Sequence, residues 1–310
     1  MKRQSAFLPG SPVLKGALHS HTTRSDGKVE PADVVRMHKD NGYAFIAITD
    51  HRLYNYDNFG VEDITIIPGM EMDTNFKKRD KSARVHCHHI VTIGPETGNG
   101  FAQDQQFERV FIDTPEETQP VLDMLHENGN MTIYAHPQWS GTPAREFEML
   151  RGNFAMEIWN SGCAIENRLD TNAAYWDELL AQSQRIFGVA TDDGHQPHHH
   201  CNGWVMVRSE NNVAAILDAL KNGAFYASCG PEIYDFYVED DMAHIKCSPV
   251  QEICFHHLRC PYPVTVKGEG ELTEASVKLG AGVYIRASVL DKDGRRAWTN
   301  PIFLEEDDLP

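Results

Sequence analysis

The run Leu14-Lys15-Gly16-Ala17-Leu18 ends in His19-Ser20-His21, two histidines one residue apart. In an extended strand alternate side chains share a face, so His19 and His21 can aim two imidazoles at one metal ion. A lone HxH is a weak signal. This one is followed by Ser25-Asp26-Gly27, Thr49-Asp50-His51, Pro68-Gly69-Met70-Glu71, Ala135-His136-Pro137 and Asp192-Asp193-Gly194-His195, each at or just beyond the end of an apolar run. Mixed imidazole and carboxylate donors suit divalent Mn, Fe or Zn, and two or three such ions are expected.

Each candidate rests on a local reason. The loop carrying Asp26 returns close to the HxH pair. His51 stands where a buried strand stops abruptly in polar residues, and Asp50 beside it can orient a neighbouring imidazole. Glu71 is expected to end a strand over 64–70, where its two oxygens can bridge two ions. His86, His88 and His89 share one strand, which can aim only alternate residues inward. His89, on the face of Val85, Cys87 and Val91, is preferred, with His88 the alternative. His136 ends Thr132-Ile133-Tyr134-Ala135, and Asp193 and His195 repeat the HxH spacing with one carboxylate substituted. Glu71 and Asp193 are the carboxylates expected to act in catalysis. Arg24 and Arg52 directly follow ligand motifs and are candidate clamps for a bound phosphate. Glu157 and Asn160 sit at a strand end facing the same pocket. His38 and His126 fall inside helical patterns and read as structural, whereas His198, His199 and His200 occupy a Pro-containing loop just after the DxH motif. His256 and His257, in the tail, are assigned no chemistry.

These residues must be positioned by strands alternating with helices from about residue 13 to 230, the pattern of parallel βα units. Strands are expected over 14–18, 45–49, 64–67, 84–93, 131–135, 155–159 and 186–190. Helices are expected from about Pro31 to Gly42, from the Thr114-Pro115-Glu116-Glu117 capping box to Gly129, and from Asn212 to Gly223. After Gly230-Pro231 the pattern changes to short alternating runs with a hairpin turn at Asp291-Lys292-Asp293-Gly294, read as a small antiparallel β module. The expected division is therefore 13–230 and 231–310.

Composition narrows the function. A formal net charge of −17 over 310 residues would repel a nucleic-acid backbone, while bound cations could still make one local pocket for a small anionic substrate. No apolar stretch is long enough to span a bilayer, and the N-terminus lacks the apolar run of a signal peptide, so neither a membrane nor nucleic acid is an expected partner. The seven cysteines form no disulfide pattern, and a cytoplasmic location is expected. There is no GxSxG elbow, P-loop or dinucleotide fingerprint, which leaves metal ions and water as the source of reactivity.

Taken in order, His19xHis21, Ser25-Asp26-Gly27, Thr49-Asp50-His51, Pro68-Gly69-Met70-Glu71, His89, His136 and Asp193xHis195 resemble the PHP superfamily of metal-dependent phosphoesterases over about residues 14 to 230. The resemblance implies an α/β fold, a distorted (β/α)7 barrel with a trinuclear metal centre at the strand C-terminal ends. It also implies a grouping of ligands. His19, His21, Glu71 and Asp193 would hold one ion, Glu71, His89 and His136 a second, and Asp26, His51 and His195 a third. Relatives that hydrolyse nucleoside bisphosphates carry a helical insertion for which Pro95 to Gln119 is too short. The tail is similar to the β appendage of a PHP branch that includes amide and carbamate ester hydrolases. Hydrolysis of a small phosphate monoester is thus the leading expectation. A carboxyl, amide or carbamate ester hydrolase on the same centre is the second, and a metal-stabilised binding module without catalysis the third.

Overall fold

The computed structural model describes residues 3–7, 11–78, 85–95, 100–169, 172–257, 264–280 and 282–304. Arg84, the expected start of one strand, and the end of the tail at 305–310 lie outside them.

Among the described residues the strands fall into two sheets. In the first, Phe187–Thr191, Asn153–Asn160, Met131–Ala135, Cys87–Ile93, Gly69–Phe76 and Val110–Ile112 lie side by side in that order. In the second, Val13–Ala17, Phe45–Ile46 and Thr65–Ile66 run parallel. This sheet continues antiparallel through Trp204–Arg208, Phe225–Ser228 and Arg296–Thr299 into the strand-rich C-terminal region. Two isolated bridges, Ser20 to Gly194 and His51 to Glu71, link the sheets at one rim. Between the sheets lies an apolar core that includes Leu14, Leu18, Phe45, Ile67, Val91, Ile133 and Val189. A polar cluster at that rim therefore rests on a packed, dry floor.

Three local outcomes differ from the sequence expectation, each for a physical reason. The 64–70 run is broken, because Pro68 has no N–H to continue a ladder. A new strand, Gly69–Phe76, starts beyond it, so Glu71 stands near the beginning of a strand rather than at an end. Met70 and Met72 then face the outer core while Glu71 and Asp73 face the opposite side, by simple alternation. Secondly, Cys87–Ile93 runs antiparallel to both Gly69–Phe76 and Met131–Ala135, so the units are not uniformly parallel. The connection from Phe76 to Cys87 is too short for a helical crossover. Finally, the capping box at Thr114 does not form. The chain enters through a 3-10 turn, Pro115–Thr118, and Glu117 Oε2 accepts the Asp113 N–H at 2.8 Å instead.

The C-terminal region is hydrogen-bonded into the second sheet and also tied to the first part of the chain by a buried charge. Arg286, 1% exposed, donates to Asp177 of helix Asn172–Ala181 at 2.9 and 2.6 Å, and the Tyr284 hydroxyl donates to the same carboxylate at 3.0 Å. Burial acts to raise the Asp177 pKa, but the Arg286 guanidinium overrides it and the net shift is downward. A depressed carboxylate pKa contributes stability that is present above the unfolded value of about 3.9 and is lost as pH falls through the folded value. Asp177→Asn is expected to cost about 1–2 kcal/mol at neutral pH, discounted because the carboxylate is partly open to water. Chemical denaturation should show that deficit narrowing as pH drops below about 4. A pH-independent deficit would mean the ion pair contributes nothing.

Candidate metal centre

Glu71 is the hub. It is buried, and five imidazole nitrogens surround its carboxylate: His89 Nδ1 at 2.8 Å, His51 Nδ1 at 2.9, His136 Nε2 and His21 Nε2 at 3.3, and His19 Nε2 at 3.4. Asp193 forms a second focus, with Oδ1 3.1 Å from His21 Nε2, 3.3 Å from His19 Nε2 and 3.5 Å from His195 Nδ1. Asp26, exposed at the mouth, approaches His195 at 3.3 Å, His51 at 3.6 and His21 at 3.7. Three groupings, His19-His21-Asp193, His51-Glu71-His89 and His21-Asp26-His51-His195, each have donor atoms close enough to share an ion.

Local backbone choices bring these groups together. Strict alternation from Leu14 through Leu18 would turn Ser20 inward, but the strand ends at Ala17 and Ser20 bridges to Gly194, leaving His19 and His21 aimed at Asp193 and Glu71. His136 and Asp193 have φ of +25° and +48°, sparsely populated values for residues with a Cβ, and their side chains swing into the cluster. Gly27 closes the Asp26 loop where a Cβ would lie 2.8 Å from the backbone at His21 and Thr22.

A hydrogen-bonded layer supports the donors. Glu157 accepts from His19 Nδ1 at 2.6 Å, the Thr191 hydroxyl at 2.7, Asn160 Nδ2 at 2.8 and the His136 N–H at 3.0. Asn160 Nδ2 also reaches Asp193 at 3.1 Å. Asp50 grips the Asp26 loop rather than an imidazole, accepting from Ser25 Oγ at 2.6 Å, Thr22 Oγ1 at 2.7 and Thr22 N at 2.8.

Within the Cys87–Ile93 strand, His89 meets Glu71, whereas His88 turns away to the Tyr134 hydroxyl at 2.7 Å and His86 reaches Glu146 at 2.6 Å. The two arginines are not brought to the cluster. Arg24 pairs with Asp104 and with Asn55 Oδ1 at 3.1 Å, and Arg52 pairs with Asp73. Neither lines the cavity, because each finds a nearer carboxylate. Sequence reasoning missed Trp139, whose ring centroid lies 5.1 Å from that of His136 and 5.7 Å from that of His89. Its only signal was its place three residues after His136. It also missed Thr191, which secures Glu157.

The electrostatics describe a centre built for positive charge. Burial alone would lower His19, yet Asp193, Glu71 and Glu157 hold it well above an ordinary imidazole. His195, likewise opposed by burial, is raised to about 9 by Asp26 and Asp193. Burial would raise Glu71 and Asp193, but the surrounding imidazoles hold both well below the usual carboxylate range. Meanwhile Glu71 Oε2 and Asp193 Oδ1 are buried, each about 3 Å from an imidazole nitrogen yet in no well-directed hydrogen bond. Orphaned carboxylate oxygens facing imidazole nitrogens fit divalent cations. Ions would displace the protons held by the raised histidines, so loading is expected to release protons and tighten between about pH 6 and 9. By the same linkage the metal-free fold should lose stability as pH rises from about 6.5 through about 9. Calorimetry in buffers of different ionisation enthalpy measures the release, and a proton-neutral titration would contradict it.

The cluster opens into a cavity of about 300 Å³ lined by His51, Glu71, His136, Trp139, Glu166 and His199 among others. The sequence model of the PHP domain matches residues 17–227. The chain belongs to the PHP domain family. Among solved structures, a two-domain protein from Bacteroides vulgatus containing a predicted PHP-like metal-dependent phosphoesterase superposes with a TM-score of 0.50 at 15% identity, covering 97% of this chain and 98% of that one. An amidohydrolase from Chromobacterium violaceum with bound sulfate and no metal gives a TM-score of 0.42 at 14% identity, covering 59% and 88%. No curated protein matches the chain in sequence. The PHP match spans the segments that carry all nine candidate ligands, and the Bacteroides likeness extends the shared fold into the strand-rich C-terminal region. Among the described residues no helix is long and apolar enough to cross a membrane.

Proposed function

We propose that this PHP protein is a metal-dependent hydrolase acting on a small phosphate monoester. The observation that carries the reading is the convergence on Glu71 and Asp193 of imidazoles from separate strand ends, with buried carboxylate oxygens in no well-directed hydrogen bond. In this reading His19, His21, Glu71 and Asp193 hold one ion, Glu71, His89 and His136 a second, and Asp26, His51 and His195 a third. When bound, Mn, Fe or Zn supplies activated water and neutralises charge on the phosphoryl oxygens. Glu157 fixes the tautomer of His19, so that Nε2 faces the centre. Trp139 walls the cavity, whose volume suits a small ester. We read the chain as a distorted (β/α)7 barrel over 13–230 with 231–310 as an appendage, a reading supported by the two bridges that join the sheets at the rim. A cytoplasmic setting accords with the free thiols of Cys87, Cys163 and Cys201.

One observation favours a second reading, hydrolysis of a carboxyl, amide or carbamate ester. Among the described cavity-lining residues none is Lys or Arg, and Cys163, Asn167 and Gln196 present neutral groups. The test is turnover of p-nitrophenyl phosphate against p-nitrophenyl acetate by metal-loaded protein. Preference for the phosphate is expected. Preference for the acetate moves the function to acyl chemistry, and no turnover of either with the metals bound leaves a binding module.

A further inference from the structure

Behind the Glu71 cluster stands a separate group, His38, Asp192 and His200. All three are buried, at 0%, 0% and 5% exposure, and their donor atoms lie within 4.8 Å of one another. His38 Nδ1 is 2.8 Å from the Val34 carbonyl, which can only accept, so Nδ1 carries the hydrogen. Nε2 faces Asp192 Oδ2 at 3.3 Å, a pair that holds either a proton or a metal ion between its two atoms. Two acceptors facing each other in a dry interior need a positive species between them. Asp192 is itself fixed by the N–H groups of Cys201 at 2.6 Å and of Asn202 and Gly203 at 2.8 Å. His200 supplies the independent sign. Neither of its ring nitrogens has a hydrogen-bond partner, although the ring is almost wholly buried. The Tyr43 hydroxyl, also buried without a partner, feels the charge of Asp192, and its ring stands edge-on to His38 at 4.8 Å.

We infer that His38, Asp192 and His200 hold an additional divalent cation of zinc type, distinct from the ions around Glu71. Tetrahedral zinc with ligands at about 2.0–2.2 Å sets donor atoms roughly 3.4 Å apart, close to the His38–Asp192 separation. The ion has a structural role. Asp192 adjoins Asp193, and a Cβ on Gly194 would lie 2.3 Å from the His200 ring, so His200 packs directly beneath the DxH loop. Crosslinking helix Pro31–Asp40 to the 192–203 loop would brace Asp193 and His195 from behind. The inference does not depend on the reaction catalysed.

Anomalous scattering at the zinc edge, on crystals of the full chain loaded with zinc, reads the two places separately. A peak bounded by His38 Nε2, Asp192 Oδ2 and the His200 ring is expected, whether or not peaks appear beside Glu71. Absence of that peak while the Glu71 cluster is occupied overturns the inference. In solution, elemental analysis of a folded His200→Leu chain should show one zinc fewer than the unsubstituted protein, and unchanged content would also overturn it. Should His200→Leu fail to fold, the anomalous map of the unsubstituted chain still decides.

Discussion

Glu71→Gln is expected to empty the centre of metal and to lower kcat/KM for the phosphate ester by about a thousandfold or more, since metal-ion stabilisation is worth several kcal/mol. The substitution preserves shape and removes only charge and one acceptor. Its effect is large because five imidazoles converge on this one carboxylate and no second carboxylate stands close to all of them. An amide nitrogen in place of Oε1 or Oε2 would face ring nitrogens already turned toward an anion. The metal-free protein is affected as well, because His136 loses its main counter-charge and His19 and His21 lose the one that ranks after Asp193. Metal content by elemental analysis, read beside steady-state kinetics, checks the prediction. Wild-type metal content with wild-type turnover would sink the proposed hydrolase.

Glu157→Gln should produce the next largest change, a 10- to 100-fold weakening of metal affinity, of the order seen when a group orienting a ligand is removed. Glu157 is buried and does not line the cavity; it fixes the candidate ligands His19 and His136 from behind. Its two oxygens accept from His19, Thr191, Asn160 and the His136 backbone, so every neighbour is a donor. Each oxygen takes two of those donors, so a glutamine must turn its NH2 toward a pair of them, and each buried donor left unsatisfied costs about 1–3 kcal/mol. Competitive chelator titration gives the affinity, and a thermal melt of the metal-free form gives the stability cost. A positioning role predicts that saturating metal restores much of kcat, whereas a loss untouched by excess metal would place Glu157 in the reaction itself.

Much of the candidate site was legible because donor chemistry is written in residue types. His19, His21, Asp26, His51, Glu71, His136, Asp193 and His195 each stood at a polar end of an apolar run, where a buried strand must surface and a side chain can face the cavity. The alternation rule also separated His89 from His86 and His88 on the 84–93 strand, with His89 preferred and His88 the alternative. The helices at 31–40 and 213–221 were equally plain, with Pro31 at the first turn and Asn212 capping Ala215 N–H at 2.9 Å. By contrast the direction of the Cys87–Ile93 strand depended on how far the chain must travel to return, which residue type does not encode. Arg24 and Arg52 lie away from the cavity for a similar reason. A guanidinium on a long stem pairs with whichever carboxylate the fold sets nearest, and Asp104 and Asp73 come from distant segments.

What the linear order of residues offered alone was an inventory of nine candidate donors, most of them at or just beyond the ends of apolar runs, since local alternation and punctuation act over a few residues. What only the tertiary structure decided was company. It made Glu71 a hub for five imidazoles, turned His136 and Asp193 inward through positive φ, and set His38 and His200 from different elements against Asp192. Those outcomes depend on sheets meeting at one rim, and contacts between residues far apart in sequence exist only once the backbone has closed around its core.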